Sequence, residues 1–515
     1  MLGHGWVNWD DPHHVLANPL LNPVTFRNLA ALWMQPVEKL FIPVGYTLFA
    51  LEAALGRVLV GGSPTSVPPA ALFHGVSLAL HTACTVLVAR LLRTIVSDRF
   101  AVMCGAALFA VHPLQVESVA WISEQRGLLA AVLSLVVLER YRSLTLRPTG
   151  GPGFVPAYLW TTAVFGAALL SKPSAAMLPG LLFCFDAVAP GRPQRPWRTS
   201  LGLLAPWACL SLLVTVGTAR LQEERRGPSI DAVDRVILAG DALEFYAAAV
   251  VWPAEPCIDY GLTPAVMLEQ YAALPRATLM WSLVAFGLLW PCFPEQRLAI
   301  LAGIVPLTPV LGFVPFVFQD ISTVADRYMY LAMVGPALAL AALLGRRPSP
   351  WLRRAVGAAL AAAAIVSIVS TGHWHDALSL NLQAVQLNGG TVTTLNNLGM
   401  ALLESDRPAD AAVCLRRAVD LDATRPPTLL NLALALHGAG QADEAESFYR
   451  RALVLQPEYA KAYNNLGILL AQAGRLGEAR DAFDAALRAD PTLTDARRNR
   501  DQADGLLRRT RAAPP

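Results

Sequence analysis

The stretch RRPSPWLRRAVGAALAAAAIVSIVST (346–371) sets four arginines ahead of a run that carries no charge from Ala355 to Thr371. A run of that length crosses a bilayer core as a helix, and arginines crowded at one end favour the cytoplasmic side. Immediately beyond it, GHWHDALSLNLQAVQLNGG (372–390) turns polar. Thr371 is therefore the expected boundary between a membrane domain, 1–371, and a water-soluble domain, 372–509.

Upstream of the boundary, apolar runs of roughly 17–24 residues recur. They lie near 70–93, 100–119, 127–141, 156–171, 174–189, 200–219, 277–292, 297–316, 328–345 and 351–371, which predicts about ten spans over 70–371. Two more apolar segments, 37–55 and 235–252, carry Glu38, Lys39, Glu52 and Asp241, Glu244. Charge at mid-depth is expensive, so both are expected as interfacial or re-entrant helices. The whole composition agrees: of 515 residues 54% are hydrophobic and 15% charged, with mean hydropathy +0.43. Such a chain is neither disordered nor, with 41 Lys+Arg against 38 Asp+Glu, a basic nucleic-acid binder. Seven cysteines without a CxxC suggest neither a disulfide framework nor a zinc site.

The short loops at 89–99, 140–147, 190–198, 292–297 and 345–354 hold 14 Lys+Arg in 44 residues, so they are expected inside. The first loop, 1–69, and everything after Thr371 then fall outside the cytoplasm. Residues 1–36 contain no basic n-region followed by an apolar h-region. A further transmembrane helix ahead of this start is the expected way for that loop to reach the far side.

Beyond 390 the chain repeats with period 34. Asn397, Asn431 and Asn465 recur, as do Ala411, Ala445 and Ala479; Leu415, Tyr449 and Phe483; and Ala418, Ala452 and Ala486. Small residues at a helix crossing, each beside a large one that fills the groove, describe stacked helix pairs. The units resemble tetratricopeptide repeats at about 391–424, 425–458 and 459–492, with a polar capping helix at 493–509 and the second helix of an incomplete leading repeat at 376–388. The fold class expected is all-α: a polytopic transmembrane helix bundle followed by a soluble α-solenoid. An array of this kind forms a concave groove that usually binds an extended peptide or protein segment, although the repeated Asn, Ala, Tyr and Phe are themselves packing residues.

Polar groups inside apolar surroundings mark candidate chemistry. They are Asp10 and Asp11 in WDDPHH; His74 and His81; His112, Glu117, Glu124 and Arg126 in HPLQVESVAWISEQR; Lys172; and Asp326, Arg327 and Tyr330 in ADRYMYL. Paired loop carboxylates suit a general base acting on an alcohol. With His13 and His14 they could instead hold a divalent ion, although the spacing matches no recognised ligand set. Arg126 and Lys172 could hold a lipid-linked phosphate or serve only as snorkelling anchors.

The strings NWDDPHHVLANPLLNP (8–23), LFIPVGY (40–46), FAVHPLQVESVAWISEQR (109–126), SKPSAAMLP (171–179) and ADRYMYL (325–331), followed by the repeats, resemble the transmembrane and tetratricopeptide-repeat O-mannosyltransferases and their bacterial relatives, in the type C glycosyltransferase superfamily. The resemblance implies a membrane enzyme that moves mannose or another hexose from a polyprenyl-phosphate sugar to Ser or Thr hydroxyls outside the cytoplasm. No redox cofactor is then required, and the need for a divalent metal stays open. On that pattern Asp10 is the expected base and Asp11 its orienting neighbour; Glu117 and His112 are candidates for contacts to sugar or acceptor; Arg126, Lys172 and Arg327 are candidates for the lipid phosphate. Ser77 stands where relatives often have Asn, and Gln125-Arg126-Gly127 where Arg-Lys-Asp is common. No GxxxxGK[ST] loop is present, so the sugar would arrive already activated. A membrane-anchored repeat scaffold without catalysis is the alternative. The Ala- and Arg-rich usage suggests a bacterial inner membrane.

Overall fold

The computed structural model describes residues 1–147, 151–189, 196–221, 230–253, 256–269, 273–290, 293–313, 316–346 and 348–512. Among these, every extended regular element is helical, and the single β-bridge joins Val37 to Leu40. The chain divides into two compact units, Met1–Asp376 and Ala377–Pro515. Parts of the expected inner loops, 190–195, 292 and 347, lie outside the described residues.

In the first unit the described part of each expected apolar run lies mostly in helix, residues 291–292 and 314–315 of two runs lying outside the described residues, but the runs are not equally continuous. Ala70–Arg93, Trp197–Leu221 and Pro350–His373 are unbroken, and long and apolar enough to cross a membrane. The run near 100–119 breaks into Arg99–Val111 and Pro113–Ala120, bent by 52°, and the run near 328–345 into Asp326–Ala332 and Val334–Leu344, bent by 49°. By length and composition, three of the described helices, or five if each bent pair counts as one span, are sufficient to cross a membrane, and Phe154–Leu169, Pro173–Val188 and Ala273–Leu289 are shorter apolar helices beside them. Proline accounts for several of the interruptions. Pro113 has no N–H to continue the ladder and holds His112 extended, and Pro306 and Pro309 lie in the 3-10 turn Val305–Val310 that ends the helix Pro294–Ile304. The breaks leave polar side chains on irregular backbone packed inside protein, where such backbone is tolerated.

The N-terminal segment has its own small core. Val15, Leu21, Leu32 and Ile42 pack with Tyr46, Phe49, Phe73 and Ile122. That cluster joins residues 1–42 to the helices Pro43–Leu59 and Ala70–Arg93 and to the broken segment after His112. The expected re-entrant segments are the helices Pro43–Leu59 and Ala232–Val251; in the second, Asp241 pairs with Arg276 at 2.8 Å.

The second unit contains three successive helix pairs, Val392–Glu404 with Pro408–Leu421, Pro426–Gly438 with Ala442–Leu455, and Ala460–Gln472 with Leu476–Ala489. Ala377–Asn388 precedes them and Thr494–Ala512 follows. A Thr391/Thr394 capping box starts the first pair. Leu415, Tyr449 and Phe483 are buried in the grooves, as the period requires. Helices cross most closely where the residue is smallest: a Cβ on Gly467 would lie 2.6 Å from the Phe483 ring. Gly467→Val should therefore destabilise the third pair by about 1–3 kcal/mol through overpacking. Hydrogen exchange across 460–489 in the full chain should show the loss of protection there, whereas unchanged protection would contradict this packing.

Candidate functional site

The two adjacent acids divide their roles at the start of the short π-helix Pro12–Leu16. Asp11 is buried, and both its oxygens are taken. Val7 donates its backbone N–H to Oδ2 at 3.2 Å, while Ser123 donates its N–H at 3.0 Å and its hydroxyl at 2.5 Å to Oδ1. The carboxylate thereby ties the N-terminal loop to the turn Ile122–Glu124. Burial pushes its pKa up to about 6, opposed by those three hydrogen bonds. Asp10 is different: its side chain is 36% exposed, with Oδ2 3.6 Å from Arg126 Nη2 and 3.9 Å from His14 Nε2. It is the acid of the pair that solvent or a substrate can reach.

His14 is buried between two partners. Arg126 Nη1 lies 3.1 Å from its Nε2, and the Tyr46 hydroxyl lies 2.7 Å from its Nδ1. Burial, reinforced by the Arg126 charge, lowers its pKa to about 3 and keeps the ring neutral. His13 is exposed. Among the described residues no three His, Cys, Asp or Glu side chains converge as metal ligands.

Two further carboxylate–cation pairs lie deeper. Glu117 accepts the Arg327 backbone N–H at 2.8 Å and pairs through its other oxygen with the Arg327 guanidinium. That guanidinium also lies over the rings of Phe318, Tyr328 and Trp121, at 3.9, 4.9 and 5.4 Å. Glu124 pairs directly with Lys172. Burial holds the Lys172 amine below its usual range; Glu124 opposes this, and Arg126 and Arg327 add to it. A cavity of about 80 Å³ is bounded by Glu124, Lys172 and Arg327 together with apolar Ala131, Met177, Val310 and Leu331. Gly127 also borders it, and a Cβ there would collide with the Glu124 carboxylate and lie 3.2 Å from Lys172 Nζ. Glycine at this position lets the ion pair close.

The structure thus brings Asp10, Asp11, Arg126, Glu117, Lys172 and Arg327 into one connected region. His112 stands apart in role: its Nδ1 accepts the Leu114 N–H at 3.3 Å and its Nε2 donates to the Val250 carbonyl at 3.1 Å, so both nitrogens serve the backbone. His81 is similarly engaged by Tyr330 and the Ala110 carbonyl. Ser123, Tyr46 and Tyr260, whose hydroxyl donates to Asp326 at 2.8 Å, complete the network. A lone hydroxyl in sequence carries no sign of such a role.

A tetratricopeptide-repeat family model matches residues 396–459 and 430–493. The tail is a tetratricopeptide-repeat domain. Protein O-mannosyl-transferase Tmtc2 of Drosophila melanogaster is 36% identical over 119 residues, covering 22% of this chain and 12% of that protein. Tmtc1 of the same organism is 34% identical over 112 residues, again 22% and 12%. Protein O-mannosyl-transferase F38B6.6 of Caenorhabditis elegans is 24% identical over 445 residues, 80% of this chain and 59% of that protein. The chain therefore resembles the Tmtc protein O-mannosyl-transferases, and each match spans less than two thirds of the relative's length. The Sgt2 repeat domain from Aspergillus fumigatus is 22% identical over 24% of this chain and 85% of its own, with a TM-score of 0.23.

The buried acid and imidazole titrate with opposite effects. His14, held neutral, contributes stability that is lost as pH falls from its ordinary 6.5 toward about 3. Asp11, with a raised pKa, contributes stability that is lost as pH rises from 3.8 through about 6. Relative to wild type, the thermal midpoint of His14→Gln should rise between about pH 7 and pH 4.5, while that of Asp11→Asn should fall over the same range. Differences that stay constant with pH would contradict these environments.

Proposed function

We propose that this membrane protein is a glycosyltransferase that moves mannose or another hexose from a polyprenyl-phosphate donor to Ser or Thr hydroxyls of proteins outside the cytoplasm. The observation that carries the proposal is the division of the acid pair: Asp11 is saturated and structural, whereas Asp10 is reachable and held beside Arg126. Likeness to the protein O-mannosyl-transferases supports the chemistry.

In this reading Asp10 takes the proton from the acceptor hydroxyl as its oxygen attacks the anomeric carbon. The bond from that carbon to the phosphate oxygen breaks, and its electron pair leaves on the polyprenyl phosphate, with inversion. Lys172, Arg327 and Arg126 neutralise the phosphate, and the apolar wall of Ala131, Met177, Val310 and Leu331 suits the first prenyl units. Each cation already has a carboxylate neighbour, so an entering phosphate competes with Glu124, Glu117 and Asp10. A cavity of about 80 Å³ is smaller than a hexose requires, so the donor enters as the Glu124–Lys172 pair parts. The repeats recruit the acceptor polypeptide, and the N-terminal loop and the repeats share the extracytoplasmic side, of a bacterial inner membrane.

Transfer of labelled sugar from a polyprenyl-phosphate donor in membranes tests this. Asp10→Asn should lower transfer by about 10²–10⁴-fold without lowering the amount of folded protein. Undiminished transfer would reject Asp10 as the base.

A further inference from the structure

His14 lies next to the acids but has no part in the proton transfer proposed above. It is 4% exposed, and Tyr46 is 1% exposed. A guanidinium only donates hydrogen bonds, so at 3.1 Å from Arg126 Nη1 the His14 Nε2 must be the acceptor. The ring proton then sits on Nδ1 and is donated to the Tyr46 oxygen, 2.7 Å away. One arm of the Arg126 fork is fixed by a buried neutral ring, and the other arm, Nη2, is left facing Asp10 at 3.6 Å.

The stem of Arg126 is confined as well. A Cβ on Gly45 would come within 3.3 Å of the Arg126 Cβ, so the helix Pro43–Leu59 passes close against it. Glu124 and Gly127, on either side of Arg126 in sequence, border the cavity that also contains Lys172 and Arg327. A snorkelling anchor would extend into the headgroup region. This arginine is instead packed within the protein, with its side chain 12% exposed and its guanidinium held by His14 and Asp10.

We propose that His14, held by Tyr46, is a positioning residue that fixes the Arg126 guanidinium beside Asp10, next in the chain to the cavity-lining Gly127, where it recognises an anionic phosphate headgroup. The proposal rests on the donor site described above and adds that recognition of the phosphate depends on a neutral imidazole that touches neither donor nor acceptor. Arginine is suited to the task because its fork is planar and can serve two anions at once.

The test uses the full chain in lipid nanodiscs with two probes, a short-chain polyprenyl phosphate lacking sugar and inorganic phosphate. His14→Phe keeps the ring volume and removes both nitrogens. It should weaken binding of the polyprenyl phosphate about tenfold, the scale of one charge-assisted contact, and raise the donor KM similarly while kcat changes far less. His14→Gln restores an acceptor near the Nε2 position and should recover most of the affinity, with Tyr46→Phe intermediate. Inorganic phosphate should bind more weakly than the lipid, with the same order among variants, if the headgroup is what Arg126 reads. Equal binding of the lipid probe by wild type and His14→Phe would overturn the proposal, as would a rise in the acceptor KM in place of the donor KM. If His14→Phe does not fold, His14→Gln and Tyr46→Phe decide: wild-type affinity in Tyr46→Phe, or a complete loss in His14→Gln, overturns it. The binding arm reads phosphate recognition and not proton transfer, so undiminished transfer by Asp10→Asn together with weakened binding by His14→Phe would reject the base and leave the positioning role standing.

Discussion

A carboxylate removed from water must find donors or a cation, or it costs several kcal/mol, and that requirement organises the membrane unit. Asp11 finds its donors in Val7 and Ser123, Glu117 finds Arg327, and Glu124 finds Lys172. Each pair joins segments far apart in sequence: residue 11 to 123, 117 to 327, 124 to 172. The contacts therefore do more than satisfy charge. They fasten the N-terminal loop, the broken segment after His112, the turn at Lys172 and the turn at Asp326 into one polar region. Asp10 is left at its edge with a looser cation contact and a partly exposed side chain, as the proposed base requires.

Helix breaks make that region possible. A continuous helix from 100 through 124 would give its backbone groups to its own ladder and keep Glu117 and Glu124 on a single rod. Pro113 ends the first helix, and the chain then proceeds through short turns that bring Ser123, Glu124 and Arg126 to three different partners. The helical repeats need no such irregularity. Their order comes from small residues at crossings and buried Leu415, Tyr449 and Phe483, with left-handed turns at Gly440 and Gly474 and at Asp406, where φ is +56°.

The two units were unequally legible in the sequence. Period 34 reads directly as helix pairs because each repeat meets the same packing demand. The apolar runs read as helices, since hydropathy reports burial or lipid exposure. Hydropathy does not report continuity, so the bends at His112 and at Met333 were lost in runs that looked uniform. The candidate residues were visible as polar letters in apolar text, and Asp10, Glu117, Arg126, Lys172 and Arg327 lie in one connected region. Which acid is exposed and which is tied was not visible, because that depends on Ser123, whose hydroxyl is one unremarked letter inside the string 109–126. His112 drew attention by its charge type, yet it serves the backbone of a turn.

The central claim is that the cavity beside Lys172 and Arg327 receives a lipid-linked phosphate. Photocrosslinking with a polyprenyl phosphate that carries a diazirine in its first isoprene unit tests it most directly. The account predicts adducts on the wall formed by Ala131, Met177, Val310 and Leu331, and their loss in Lys172→Ala. Adducts confined to other helices, or labelling of this wall unchanged by Lys172→Ala, would contradict it.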